Sequence, residues 1–128
     1  NNKIKNSKNI NYKGKINQKN LNQKLSRYDI FLHPSMSENF GLVILEALKA
    51  NLYLILNKNL PWEILKKKEL GSLINFDKKN LILVINKINR NKKTIFSKKR
   101  RKKIDKFLIQ NYNWKKIAEK YIKELDIV

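Results

Sequence analysis

No cysteine occurs in the chain, which excludes a disulfide framework and thiolate metal sites and leaves nothing that calls for an oxidising compartment. Histidine occurs once and the carboxylates are few and scattered, so no metal-ligand cluster is encoded. No apolar run approaches the roughly 18 residues that cross a bilayer, and the opening NNKIKNSKNI lacks the apolar stretch of a signal peptide. These absences point to a soluble, cytoplasmic protein. With 128 residues, 41% of them hydrophobic, the chain can bury one modest core and fits a single domain.

Acidic residues are also scarce: 10 against 30 lysines and arginines, for a formal charge of +20 and a pI near 10.2. Such a balance is the footprint of a nucleic-acid binder or of a protein on an anionic membrane surface. A second reading competes with it. Lys, Asn and Ile make up about half the chain, and the lysines are spread along it with asparagine between them, as coding bias in an AT-rich genome produces. The densest cluster, SKKRRKKIDK from Ser97 to Lys106, lies in a helical pattern and reads equally well as a solvated face.

What is present alternates. Ile30-Phe31-Leu32-His33 is a short apolar run stopped by Pro34, which has no N–H for a ladder, and reads as a buried strand. The polar loop Ser35 to Gly41 follows. Leu42 to Ala50 is apolar on nearly every side, as a helix packed on a sheet would be, and it stops before Asn51, a residue tolerant of the left-handed conformation that ends helices. Tyr53 to Leu56 reads as a second strand, so strand, helix and strand form a crossover unit with parallel, buried strands. A turn at Asn57 to Pro61, a short helix from Trp62 and a third strand at Gly71 to Asn75 continue the pattern. Beyond it the chain is helical, over Lys78–Arg90, Lys98–Gln110 and Trp114–Leu125. The fold class is α/β, with three parts in one domain. Residues 1–26 hold an amino-terminal strand and helix remnant, 27–76 the βαβ core, and 77–128 the carboxyl-terminal helices.

Ligands of open parallel sheets bind beyond the carboxyl ends of the strands, which directs attention to the loops HPSMSENFG and NKNLPWE. The first delivers Gly41 to a helix start, where free N–H groups and the helix dipole favour an anion. A structural alternative gives Ser35 and Glu38 the capping-box spacing and makes Asn39 an N-cap. Glu46 is the only charged residue between Leu42 and Leu48, and a buried carboxylate needs a partner. That partner is either one of the many lysines or a polar ligand whose hydroxyls the carboxylate holds.

Glu38 and Glu46 stand seven residues apart in HPSMSENFGLVILEAL, and this resembles the E-x7-E signature of retaining GT-B glycosyltransferases, in particular glycosyltransferase family 4. Around it, Tyr28-Asp29, Pro34-Ser35, Asn39-Phe40-Gly41 and Glu46-Ala47-Leu48 fit the same pattern. The likeness runs on through Gly14 after a presumptive strand, Pro61-Trp62-Glu63-Ile64, Gly71-Ser72-Leu73 and the closing helix opened by Asn113-Trp114. The chain departs from the family after Glu46, where Ala50-Asn51-Leu52-Tyr53 replaces a turn with glycine and proline.

The resemblance implies a partial Rossmann-like parallel sheet, the carboxyl-terminal half of a GT-B fold, followed by helices. It implies a donor site in which Glu38 is catalytic and approaches the sugar, Glu46 holds the ribose hydroxyls, and the backbone of Phe40, Gly41 and Leu42, beside Asn39, faces the diphosphate. The substrate would be a nucleotide-diphosphate sugar, with no cofactor and no obligatory metal. A hexose would pass, with retention of configuration, to a glycan or lipid-linked acceptor of cell-envelope polysaccharide synthesis.

By the same likeness an amino-terminal acceptor domain is missing, as are two strands of the donor domain and a basic pair that neutralises the diphosphate. The segment Ile10 to Lys15 would then lack its neighbour in the sheet, and the chain would be inactive alone. A lipid-linked acceptor would bring a peripheral position at the inner face of the plasma membrane, on anionic lipid. The other function class is a basic nucleic-acid- or anionic-membrane-binding module without catalysis. Against nucleic acid, Tyr12, Tyr28, Trp62 and Trp114 form no stacking or groove-reading motif.

Overall fold

The computed structural model describes residues 9–124. Its centre is a three-stranded parallel sheet of β1 (Ile30–His33), β2 (Tyr53–Asn57) and β3 (Gly71–Ile74), in the order β1-β2-β3. Ile30 pairs with Tyr53 and Leu54 with Gly71, and the register runs on from there along each pair. Helix α2 (Leu42–Lys49) joins β1 to β2, and α3 (Glu63–Lys67) joins β2 to β3. The expected α/β class and the strand–helix–strand core are therefore present, as befits part of a Rossmann-like sheet.

β2 is buried along its whole length and alternates its side chains between two cores. Leu54 and Leu56 meet Ile44, Ala47 and Leu48 of α2 on one face, together with Ile104 and Phe107 of α6 (Lys98–Asn111). On the other face Tyr53 and Ile55 meet Ile88 of α4 (Lys78–Arg90), with Ile95 of α5 (Lys92–Ile95) at its margin. The final helix, α7, spans Trp114–Glu124, and Leu125, where the sequence pattern places its end, lies outside the described residues. None of the helices is long and apolar enough to cross a membrane.

Both helices of the crossovers end on a residue in the left-handed conformation. After α2, Asn51 has φ 68°, its N–H donates to Leu48 O at 2.9 Å and that of Leu52 to Ala47 O at 3.1 Å. This paired pattern is a Schellman closure, and asparagine serves there in place of glycine. After α3, Glu69 (φ 59°) repeats it through Leu70 N to Leu65 O at 2.8 Å.

Two expectations need correction. Among the described residues no strand forms around Ile10 to Lys15. Ile10 and Tyr12 are 55% and 78% exposed, so the segment buries too little to offset the entropy of ordering it. The helical part of the remnant does form, as a 3-10 turn at Gln18–Asn20 leading into α1 (Leu21–Leu25). Nor is the basic cluster wholly a solvated face. Arg100 is only 5% exposed, and its guanidinium donates to the carbonyls of Asn51, Leu52 and Leu70 at 3.0–3.2 Å and to Asn51 Oδ1 at 3.0 Å. Burial pushes its pKa down to about 10, which leaves it charged at neutral pH.

Candidate functional site

Because β1 and β2 are parallel, the loops that leave His33 and Asn57 emerge at the same end of the sheet. They also touch. Gly41 precedes α2 with φ 70°, and a Cβ there would lie 2.7 Å from Trp62 Cζ2. The turn therefore demands glycine twice, for its left-handed backbone and for the close approach of an indole. Trp62, 5% exposed, belongs to the second loop and stacks on Tyr112, just past α6, with ring centroids 6.1 Å apart. Phe107 meets Tyr112 edge-on at 5.7 Å. Burial raises the Tyr112 pKa above its ordinary value, so its phenol stays neutral.

Glu38 is held by its own strand. His33, the last residue of β1, donates from Nε2 to Glu38 Oε2 at 3.1 Å, and its ring stacks on that of Phe31 with centroids 5.7 Å apart. The carboxylate is thus fixed at the strand end while remaining partly open to solvent. The capping alternative is not realised. Ser35 Oγ donates to Ser37 O at 2.6 Å, Gly41 rather than Asn39 is the N-cap, and no side chain caps α2. As the first helical residues, Leu42 and Val43 have N–H groups with no partner inside the helix.

Glu46 lies one turn further along α2 and is partly buried. Its carboxylate makes no salt bridge to a described residue. Instead it lines a cavity of about 540 Å³ between α2 and the carboxyl-terminal part of α6, with Phe40, Leu42 and Leu45 on its side and Leu108 and Tyr112 opposite. Phe40 and Leu42 are 55% and 54% exposed. Arg101, also on the wall, pairs with Asp105 at 3.2 Å and donates to Lys49 O at 2.8 Å.

Of the residues singled out in the sequence, Phe40, Leu42 and Glu46 share this cavity. Glu38, Asn39 and Gly41 belong to the adjoining loop and do not line it. His33 and Trp62 stand in the two loops singled out in the sequence but without the contacts seen here, and Tyr112 was not singled out. A tryptophan in a strand-end loop is the one available signal for Trp62, whereas Tyr112 meets it only through the folding back of α6. The family model described as Glycosyl transferases group 1 matches residues 2–106 of the chain. No curated protein and no solved structure matches it.

Proposed function

The chain belongs to the group 1 glycosyltransferases, and from that premise we propose that it supplies the donor-binding wall of a retaining, family 4 enzyme of the GT-B type. Membership carries transfer of a sugar from a nucleotide-sugar donor to an acceptor. The finer reading rests on one observation: the Glu46 carboxylate makes no salt bridge to a described residue and lines a cavity that opens beside the Phe40 turn.

In this proposal the ribose hydroxyls donate to Glu46. The diphosphate meets the free N–H groups at the start of α2, where the helix dipole offsets its charge. The Gly41 turn lets backbone come close, and Trp62 beneath it keeps the turn rigid. Glu38, oriented by His33, stands toward the sugar as the catalytic carboxylate, with Asn39 beside it. The transferred group is a hexose and the acceptor a glycan or lipid-linked glycan of the cell envelope, reached from the inner face of the membrane.

The test is calorimetric titration with a panel of uridine, guanosine and adenosine diphosphate sugars. Saturable binding of one class, weakened by Glu46→Gln and unaffected by a chelator, supports the reading. Equal heats for wild type and Glu46→Gln would remove Glu46 from the site, and loss of binding on chelation would overturn the metal-independent mode.

A further inference from the structure

The edge of β3 not paired with β2 borders a second cavity, of about 600 Å³, walled by β3 together with α3, α4, α5 and α6. Its charge is one-sided. Lys66, Lys87, Lys99, Arg100 and Lys103 stand against a single carboxylate, Glu69. Glu69 is already bound to Lys103 at 2.9 Å, whereas Lys66, Lys87 and Lys99 make no salt bridge to a described residue. The Glu69 carboxyl is held below its ordinary pKa by the Lys103 hydrogen bond first and that lysine's charge second, partly opposed by burial, with Lys87 and Lys99 lowering it by less. Lysines from α4 and α6 therefore converge on one region of space.

Arg100 forms part of the same wall and makes no salt bridge to a described residue. Its NH1 and NH2 groups are taken by carbonyl oxygens and an asparagine oxygen, and its buried Nε has no hydrogen-bond partner. Its charge is met by these oxygen dipoles and by the Tyr53 ring, 5.7 Å away, and not by a carboxylate, so its net positive charge adds to that of the lysines on the wall. Tyr53 and Ser72 add hydroxyls bonded to each other at 2.8 Å, while Leu73, Val84 and Ile95 add apolar surface.

We propose that this cavity is a binding site for a small organic phosphate, a dianion of sugar-phosphate size. A phosphate offers several acceptor oxygens and two charges to ammonium groups arriving from different elements. The hydroxyl and apolar parts of the wall suit the organic portion, and the volume lies within the roughly 300–1,000 Å³ usual for small-molecule sites. The site lies beyond β3 while the donor loops leave β1 and β2, so it stands whether or not the donor reading does.

The test uses the full chain at fixed ionic strength, titrated with a hexose phosphate and, separately, with inorganic phosphate. The expected result is saturable one-to-one binding, tighter for the hexose phosphate, with a rise in Tm. Lys87→Gln/Lys99→Gln should weaken it about tenfold or more, whereas Lys98→Gln/Lys102→Gln, which removes the same charge from α6 outside the cavity, should leave it within about twofold. All four lysines are exposed, so both variants should fold. Equal losses in the two variants would reduce the effect to net charge and overturn the site. So would the absence of saturable heat with either probe, or inorganic phosphate binding as tightly as the hexose phosphate. Displacement by duplex DNA with a steep salt slope would assign the face to nucleic acid instead.

Discussion

A partly buried carboxylate that makes no salt bridge to a described residue gives position 46 an uncommon property: its charge can be removed without leaving a described cation unpaired. Glu46→Gln should therefore lower donor affinity by roughly ten- to a hundredfold, the loss of charge-assisted hydrogen bonds to hydroxyls worth about 1.5–3 kcal/mol. Its Tm should stay close to that of the wild type. A large fall in Tm with unchanged donor titration would make Glu46 structural. Gly41→Ala should behave in the opposite way, because its Cβ would meet Trp62 at 2.7 Å and sit at φ 70°. The expected cost is about 1–3 kcal/mol of stability, read from chemical denaturation. Glu38 and Glu46 stood out in the sequence through the resemblance of their seven-residue spacing to a family signature, and Glu46 also as the one charge in an apolar run. The cap was not legible: Ser35 and Asn39 have the right chemistry, but the loop's own bond from Ser35 to Ser37 and the left-handed Gly41 decide where α2 starts. His33 pairs with a residue five positions on, a contact that only the turn after Pro34 creates.

Elements were readable where local signals and burial agree, as in β1, stopped by Pro34, and β2, apolar and buried from Tyr53 to Leu56. The strand expected near Ile10 failed because local apolar character cannot supply pairing and burial. The short helix α5 carries too few residues for a period to show. Least legible was the tie between elements made by Arg100, since one arginine in a run of lysines looks like its neighbours. From α6 it reaches the turn after α2 and the residue that enters β3, and so fastens both crossovers to one helix. Arg100→Met should cost about 2–4 kcal/mol by stranding buried carbonyls, while Lys102→Met, on the exposed side of α6, should fall within about 0.5 kcal/mol. Urea denaturation of the two variants makes the comparison, and an equal effect would deny the tie. A smaller electrostatic tie joins α6 to the end of α3. The folded-state pKa of Glu69 is lowered, chiefly by its hydrogen bond to Lys103, so its contribution is present above the ordinary carboxylate range and is lost as pH falls through the lowered value. Lys103→Ala should bring the Glu69 titration back up toward its ordinary midpoint, as followed by NMR.

At the scale of the whole molecule, charge and shape set what the chain can do. Thirty basic residues face ten acidic ones, so the folded state concentrates like charge. Raising salt from about 0.01 M to 0.15 M shortens the Debye length from about 30 Å to about 8 Å, and Tm should rise over that range. A fall would show that favourable pairs outweigh the repulsion. Shape matters more for turnover. The proposed donor wall is open among the described residues: Phe40 and Leu42 are more than half exposed, and the catalytic candidate Glu38 sits on a loop with solvent beside it. Sugar transfer requires the acceptor hydroxyl and the donor carbon to be held in near-attack geometry, positioning that can supply on the order of 7–11 kcal/mol of the barrier. It also requires water to be kept from competing as the acceptor. On the proposed reading, a single wall would bind a nucleotide sugar through Glu46 and the start of α2 without meeting either condition. The 128-residue chain should therefore bind donor yet transfer no sugar by itself, and it should gain activity when an acceptor-binding half is supplied in trans. The measurement is product formation from a panel of nucleotide sugars with the chain alone and with that addition, run beside the binding titration. Turnover by the chain alone would show that this one wall already positions both substrates. Bound donor without product, followed by product on addition, would show that the missing term is the acceptor's position and not the donor's affinity.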